Sequence, residues 1–339
     1  MASRVVLHVG LMKSGTSYLQ RRLDANRALL AERGVLLPGR RWRDQMLAVS
    51  DVLGRKQLAE KSAGRWATLV AEASAYDGCV AVSMEFLGPA RPESIARVVE
   101  SFGPAPVEAV VTLRDLGRTV PAMWQESLQN GGTFRWGDYV GMLDGRRAPA
   151  QAFWRQQGMG RIVDNWVAAL GTDRVTLVTV PPPGAPTGLL WERFCDAAGL
   201  EALDAAPVDP VNTSLDAASA VLLRELNLVL ADDDLPTGEY HRLVKFGLGK
   251  RALAGRGGAP IGFAPPEWLI QRAGRIEERR RATRARVVGD LAELAPVAVP
   301  GIDPATVAVD ERLRAEVEEL REVVLRGRSS QSTTTSETM

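Results

Sequence analysis

The segment Val5-Val6-Leu7-His8-Val9-Gly10-Leu11-Met12-Lys13-Ser14-Gly15-Thr16-Ser17-Tyr18-Leu19-Gln20 carries the residues with the clearest chemistry. An apolar β-like run leads into a short loop with two glycines, one lysine and three hydroxyls. A helical pattern follows at once. Backbone N–H groups at a helix start, a cation and hydroxyl donors together make a cradle for an anion such as phosphate. The residue order narrows the anion. A Walker loop places its lysine directly after the second glycine. Here Lys13 comes two residues before Gly15. The dinucleotide fingerprint G-x-G-x-x-G is absent as well. The plain alternative is a strand–turn–helix with a chance lysine.

Lysine ahead of Ser-Gly-Thr, directly after a first strand, resembles the 5′-phosphosulfate loop of sulfotransferases that use 3′-phosphoadenosine 5′-phosphosulfate (PAPS). The resemblance spans roughly residues 4–295, with its specific motifs in the first 130. It implies that Lys13 stabilises the leaving bridging oxygen, where a compact ammonium on a flexible stem is suited to the task. It also implies that Ser14, Gly15, Thr16 and Ser17 hold the 5′-phosphate through N–H groups and hydroxyls. By residue type alone, Thr16 or Ser17 could equally be a helix N-cap.

A second signature is Val110-Val111-Thr112-Leu113-Arg114-Asp115. An arginine directly after a buried strand stands at the carboxyl edge of the sheet, where open α/β folds bind ligands. A forked guanidinium suits phosphate there. The resemblance implies that Arg114 binds the 3′-phosphate. The family usually adds a serine eight residues later, but Ala122 stands at that place. Thr119 is the substitute expected, with Ser127 and Gln125 as further candidates. The alternative for Arg114 is a salt bridge with Asp115 or Glu108. A nucleotide triphosphatase usually ends a later strand in an aspartate for Mg²⁺. This strand ends in Arg114, which favours a metal-free donor. No His/Cys cluster has metal-ligand spacing, so zinc is not expected.

The base must be sought past another strand. Cytosolic aryl and steroid sulfotransferases use a histidine just past a middle strand, and this chain has Val80-Ala81-Val82-Ser83-Met84-Glu85-Phe86-Leu87 in the comparable place. Carbohydrate-type and several bacterial sulfotransferases resemble it in using a glutamate. A carboxylate near a buried strand edge is costly without work or a partner. Burial among apolar neighbours also strengthens a carboxylate's hold on a proton. The alternative for Glu85 is a salt bridge, with Lys13 among the possible partners. Of the two histidines, His8 lies inside the first strand and points into the fold, and His241 falls in a late helical region.

Three stretches are less specific. Asn212-Thr213-Ser214-Leu215 precedes a helical pattern, and Ser214 or Asn212 reads as its cap. A similar Asn-x-Ser-Leu stretch occurs in bacterial sulfotransferase-like chains, which leaves a nucleotide contact open. Arg272–Arg286, with Arg279-Arg280-Arg281, reads as a solvated face, with an acidic acceptor or a membrane surface as the alternative. The aromatics Trp124, Phe134, Trp136, Tyr139, Phe153, Trp154 and Trp166 cluster in the middle third, and Trp124 and Trp136 are candidates to line an acceptor pocket.

These residues need a scaffold. Strand-like runs at Arg4–Val9, Cys79–Ser83, Val107–Leu113 and Arg174–Val180 alternate with amphipathic helical patterns. That spacing predicts βαβ units and a parallel sheet covered on both faces. Val35–Leu37 is a candidate short strand. Helices are predicted from Gly15 or Thr16 to Arg33, where Leu19, Leu23, Asn26 and Leu30 share a face, and over Arg43–Leu53, Ala63–Ala75 and Pro92–Phe102. Beyond Val180 the sheet signals stop. Helical patterns cover Leu189–Ala198, Asp216–Ala231, Tyr240–Ala254, Pro266–Leu294 and Asp310–Arg326, and Leu235–Pro265 is a candidate lid.

The expected fold class is α/β, a three-layer sandwich with a central parallel sheet, a P-loop-like first strand–loop–helix and a mostly helical C-terminal part. The expected division is a sulfotransferase-like domain over 1–300, a charged helix over 301–328 and a disordered tail over 329–339. Among 339 residues, 42 are basic and 41 acidic, for a net charge of +1. That balance gives no sign of a nucleic-acid partner. Cys79 and Cys195 cannot form a disulfide framework and are expected reduced, in a cytoplasmic protein. No apolar run is long enough for a transmembrane helix, and no signal peptide is expected before the first strand. The resemblance implies PAPS as cosubstrate, no metal, and a small-molecule, carbohydrate or glycolipid acceptor, with peripheral membrane contact possible. A P-loop kinase using ATP and a non-catalytic nucleotide-binding protein are the rival readings.

Overall fold

The computed structural model describes residues 1–145, 148–200, 205–208 and 214–332. Asn212, Thr213 and tail residues 333–339 lie outside these. The described chain forms two compact units. The first comprises Met1–Leu116, Gln151–Pro210 and Glu267–Pro296.

The first unit holds a six-stranded parallel sheet: β1 (Arg4–His8), β2 (Val35–Leu36), β3 (Cys79–Ser83), β4 (Val107–Leu113), β5 (Val175–Thr179) and β6 (Arg286–Val288), in the order β2-β3-β1-β4-β5-β6. The strands read as near-continuous apolar runs because both faces are covered. On one face Val6, Ala81, Val110 and Val178 pack with Leu19, Leu23, Leu30, Trp191 and Phe194 from the helices Thr16–Ala25, Arg27–Glu32 and Leu189–Ala198. Alternation along β1 turns Val5 and Leu7 the other way. On that other face the helix Met159–Leu170 packs on β4 and β5. The architecture is therefore α/β around a central parallel sheet.

Two local differences from the pattern have clear causes. The first helix breaks at Asn26 instead of running to Arg33. The Asn26 amide donates to the Arg22 carbonyl at 2.7 Å, and its Oδ1 accepts from Ala206 N–H at 2.9 Å. The side chain thus ends one helix and pins a distant segment. The predicted helix over Pro266–Leu294 is instead the helix Glu267–Thr283, then β6. Arg284 turns the chain at φ +58°, and Arg286-Val287-Val288 pairs with Thr176–Val178. The sheet therefore continues past Val180. The arginines of this helix are not a simple solvated face. Arg280 is 1 % exposed and donates to Asp164 at 2.6 Å, while Arg272 stacks on Trp154 at 3.6 Å.

The second unit comprises Gly117–Ala150, Val211–Pro266 and Val297–Met339. Trp124, Trp136, Tyr139 and Phe263 are buried against one another in it. Trp124 also donates its indole N–H to the Phe134 carbonyl at 3.0 Å. These two tryptophans are core, not pocket lining. The helix Ala217–Leu230 is capped by Asp216, which accepts from Ser219 N–H at 2.7 Å and so takes the role expected of Ser214 or Asn212. The helix Glu311–Ser332 packs against Ala217–Leu230. The candidate lid region holds the helix Thr237–Tyr240 and the π-helical His241–Ala252. It then bridges Ile261 to Ile302 and Phe263 to Val299.

Candidate functional site

β1 lies between β3 and β4, and all three run parallel, so their carboxyl ends share one edge. The segments that follow them are the Gly10–Gly15 loop, Met84–Glu85 and Arg114–Asp115. This is the crevice position of open α/β sheets. The loop stays tied to β4 after β1 has ended: Val9 N–H donates to the Val110 carbonyl at 3.0 Å and Leu11 N–H to the Thr112 carbonyl at 2.8 Å.

Gly10 has φ +91°, and a Cβ there would stand 2.8 Å from Glu85 Cβ. Only glycine lets the loop pass this close to Glu85. Lys13 has φ +61°, a conformation that costs a residue with a Cβ. Two side chains hold the loop in it. Arg114 donates to the Lys13 carbonyl at 3.0 Å, and Gln157 donates to the Met12 carbonyl at 3.0 Å. Gly15, at φ +81°, occupies the N-cap with no side-chain cap bond. Neither Thr16 nor Ser17 caps the helix. Tyr18 and Leu19 N–H both donate back to the Gly15 carbonyl. Thr16 is buried beneath this turn and Ser17 is exposed on it. The arrangement presents first-turn N–H groups beside a lysine, a combination chemically suited to an anion.

Ser14 differs from the expectation that its hydroxyl meets the anion. It is 1 % exposed, donates to the Leu11 carbonyl and lies 2.7 Å from Thr112 Oγ1. Glu85 is half-buried after the fully buried Met84. Gln20 Nε2 donates to Glu85 Oε2 at 2.7 Å and to the Ser83 carbonyl at 3.3 Å. Arg55 stacks on the neighbouring Phe86 ring at 3.8 Å. Burial pulls the Arg55 guanidinium below its ordinary pKa, and the charge of Glu85 works the other way. Glu108 pairs with Arg4 at 3.3 Å, at the far end of β4 from Arg114.

Thr119, Ala122, Gln125 and Ser127 belong to the second unit, on the helix Leu116–Gln129. Thr119 is 1 % exposed. Gln125 accepts from Leu215 N–H at 2.8 Å, and Ser127 donates to the Trp124 carbonyl at 2.7 Å. His241 is half-buried in that unit; burial, then Lys245, lowers its pKa. Among the described residues no group of three or more His, Cys, Asp or Glu side chains is placed to hold a metal ion.

No family model and no curated protein matches this chain. A crystal structure of a sulfotransferase from Alicyclobacillus acidocaldarius is similar to it at 12 % identity and a TM-score of 0.42, covering 73 % of this chain and 97 % of that one.

Gln20, Arg55 and Gln157 escaped sequence reasoning. Gln20 left a signal. It follows Leu19 on the face that buries Thr16, Leu19 and Leu23, and a polar residue on a buried face needs a partner. Arg55 and Gln157 reach the site from distant segments, and no local pattern marks them.

Proposed function

We propose that this protein transfers a sulfuryl group from PAPS to an acceptor hydroxyl and releases 3′-phosphoadenosine 5′-phosphate (PAP). The observation that carries the reading is the loop after β1. Its lysine precedes the helix, the helix start has no side-chain cap, and Arg114 clamps the lysine's own carbonyl. A terminal phosphosulfate group fits such a cradle through backbone N–H donors and the Lys13 ammonium. Bound PAPS would supply the sulfuryl group.

Placement supports the following roles. Lys13 neutralises charge that grows on the bridging oxygen as the S–O bond breaks. Gly15, Thr16 and Ser17 hold the 5′-phosphate, and Ser14 braces the loop from beneath. Arg114 adds a guanidinium at the same edge, suited to the nucleotide's 3′-phosphate. Glu85 takes the acceptor's proton. Gln20 holds its Oε2, so Oε1 is the accepting atom. The acceptor is a small-molecule, carbohydrate or glycolipid hydroxyl. Among the described residues no helix is long and apolar enough to cross a membrane.

Calorimetry with PAP, and with ATP plus Mg²⁺, tests the donor. Tight PAP binding without metal is expected. Mg²⁺-dependent ATP binding without PAP binding would sink the reading in favour of a kinase. PAP binding with no sulfated product across a broad acceptor library would favour a non-catalytic nucleotide-binding protein.

A further inference from the structure

Beneath the loop runs a buried hydrogen-bonded chain that the proposed chemistry does not use. Ser83 Oγ lies 2.7 Å from His8 Nδ1, His8 Nε2 lies 3.2 Å from Thr112 Oγ1, and Thr112 Oγ1 lies 2.7 Å from Ser14 Oγ. Ser14 Oγ then bonds the Leu11 carbonyl. All four side chains are 3 % exposed or less.

The last link sets the direction of every other. A carbonyl only accepts, so the single Ser14 hydroxyl proton goes to Leu11. Ser14 therefore accepts from Thr112. Thr112 has spent its own proton and must accept from His8 Nε2–H. A neutral imidazole has one N–H, so Nδ1 accepts from Ser83. Burial lowers the His8 pKa to about 3, which agrees with a neutral ring. Phe194 packs on that ring in a T-shaped arrangement, with ring centroids 5.1 Å apart.

The chain joins two sides of the candidate site. At one end Ser14 and Leu11 belong to the loop that carries Lys13. At the other, Ser83 ends β3, and its carbonyl accepts from the same Gln20 that bonds Glu85. We propose that His8 is a positioning residue, fixed as the Nε2–H tautomer, that sets the register of the Lys13 loop against the strand end carrying Glu85. The part of this proposal that concerns nucleotide binding rests on the donor reading above. The tautomer does not.

The test has two arms. In the first, ¹⁵N-histidine-labelled full-length protein is studied by NMR without ligand. His241→Gln assigns the two histidines. A protonated Nε2 and a bare Nδ1 are expected for His8. An Nδ1–H ring or an imidazolium overturns the proposal, whatever the protein's activity. In the second, PAP affinity is measured for Thr112→Val, which keeps the shape and removes the link, and for His8→Gln and His8→Leu. Thr112→Val and His8→Leu are expected to weaken PAP roughly tenfold, the size of one broken buried hydrogen bond. His8→Gln, which keeps a donor toward Thr112, is expected to recover part of the loss. Equal PAP affinity in all three variants and wild type overturns the positioning role. If wild type binds no PAP, the donor reading fails, and the NMR arm alone decides the tautomer.

Discussion

Glu85 is the residue whose surroundings speak most directly about chemistry. Gln20 orients one carboxylate oxygen and Arg55 supplies a nearby positive charge. Glu85→Gln is expected to cut turnover by about 10²–10⁴-fold, the usual worth of a general base, while PAP affinity stays near wild type. Unchanged turnover would remove Glu85 from the mechanism. Lys13, Gly15, Arg114 and Glu85 could all be read in the sequence because each follows an apolar strand-like run. Position after a strand is a local signal, and it survives without knowledge of the fold. The second layer could not be read in that way. His8 and Ser83 lie 75 positions apart and Ser14 and Thr112 lie 98 apart, so only the sheet order makes them neighbours. Ser14 shows the cost of reading residue type alone. Its hydroxyl suits an anion, but the Leu11 carbonyl of the same loop takes its proton and Thr112 of β4 lies 2.7 Å from its oxygen.

At the scale of elements, the predicted segments were accurate where one periodicity dominated and failed where a single side chain intervened. Cys79–Ser83, Val107–Leu113 and Leu189–Ala198 fall where their patterns place them. The break at Asn26 went unread because Asn26 sits on the apolar face at helical spacing and its partner, Ala206, is remote. Asn26→Ala leaves the Ala206 N–H without this acceptor and is expected to lower stability by about 1–3 kcal/mol in denaturant titration. β6 was hidden for a similar reason. Three residues make too short a run to stand out beside an arginine-rich helix. Its neighbourhood is secured by Glu293, which accepts from Arg193 at 2.6 and 2.9 Å and from Thr179. Burial acts to raise the Glu293 pKa, but the bonds from Arg193 and Thr179 outweigh it and hold the value below the ordinary one. A carboxyl whose folded pKa is depressed stabilises fully above its unfolded pKa and loses that contribution as pH falls through the folded value. The thermal midpoint should therefore fall on acidification from about pH 6 to about pH 3, and fall less steeply in Glu293→Gln. Equal slopes would show that the pair contributes nothing to acid sensitivity.

For the whole molecule, composition bounded the class and little more. A balanced charge and two cysteines fit many α/β proteins. Both cysteines are free and buried, and burial pushes both thiols up in pKa. The native protein is expected to react slowly with an aromatic disulfide reagent, and the unfolded protein to release two equivalents. Rapid native reaction would mean that the sheet opens easily around β3 or the helix Leu189–Ala198. The sheet order carries a further consequence, for the order of assembly. β1 is synthesised first yet occupies the interior of the sheet, and neither flanking strand exists until Cys79–Ser83 and Val107–Leu113 have emerged. Until then Val5-Val6-Leu7 is an unpaired apolar strand on the nascent chain, the kind of segment that seeds aggregation. Non-local parallel pairing is slow to form. The loop after β1 is thus translated before both strands that flank it and completed only after β4 arrives. Ligand added during refolding should accordingly raise the final yield without speeding the early phase.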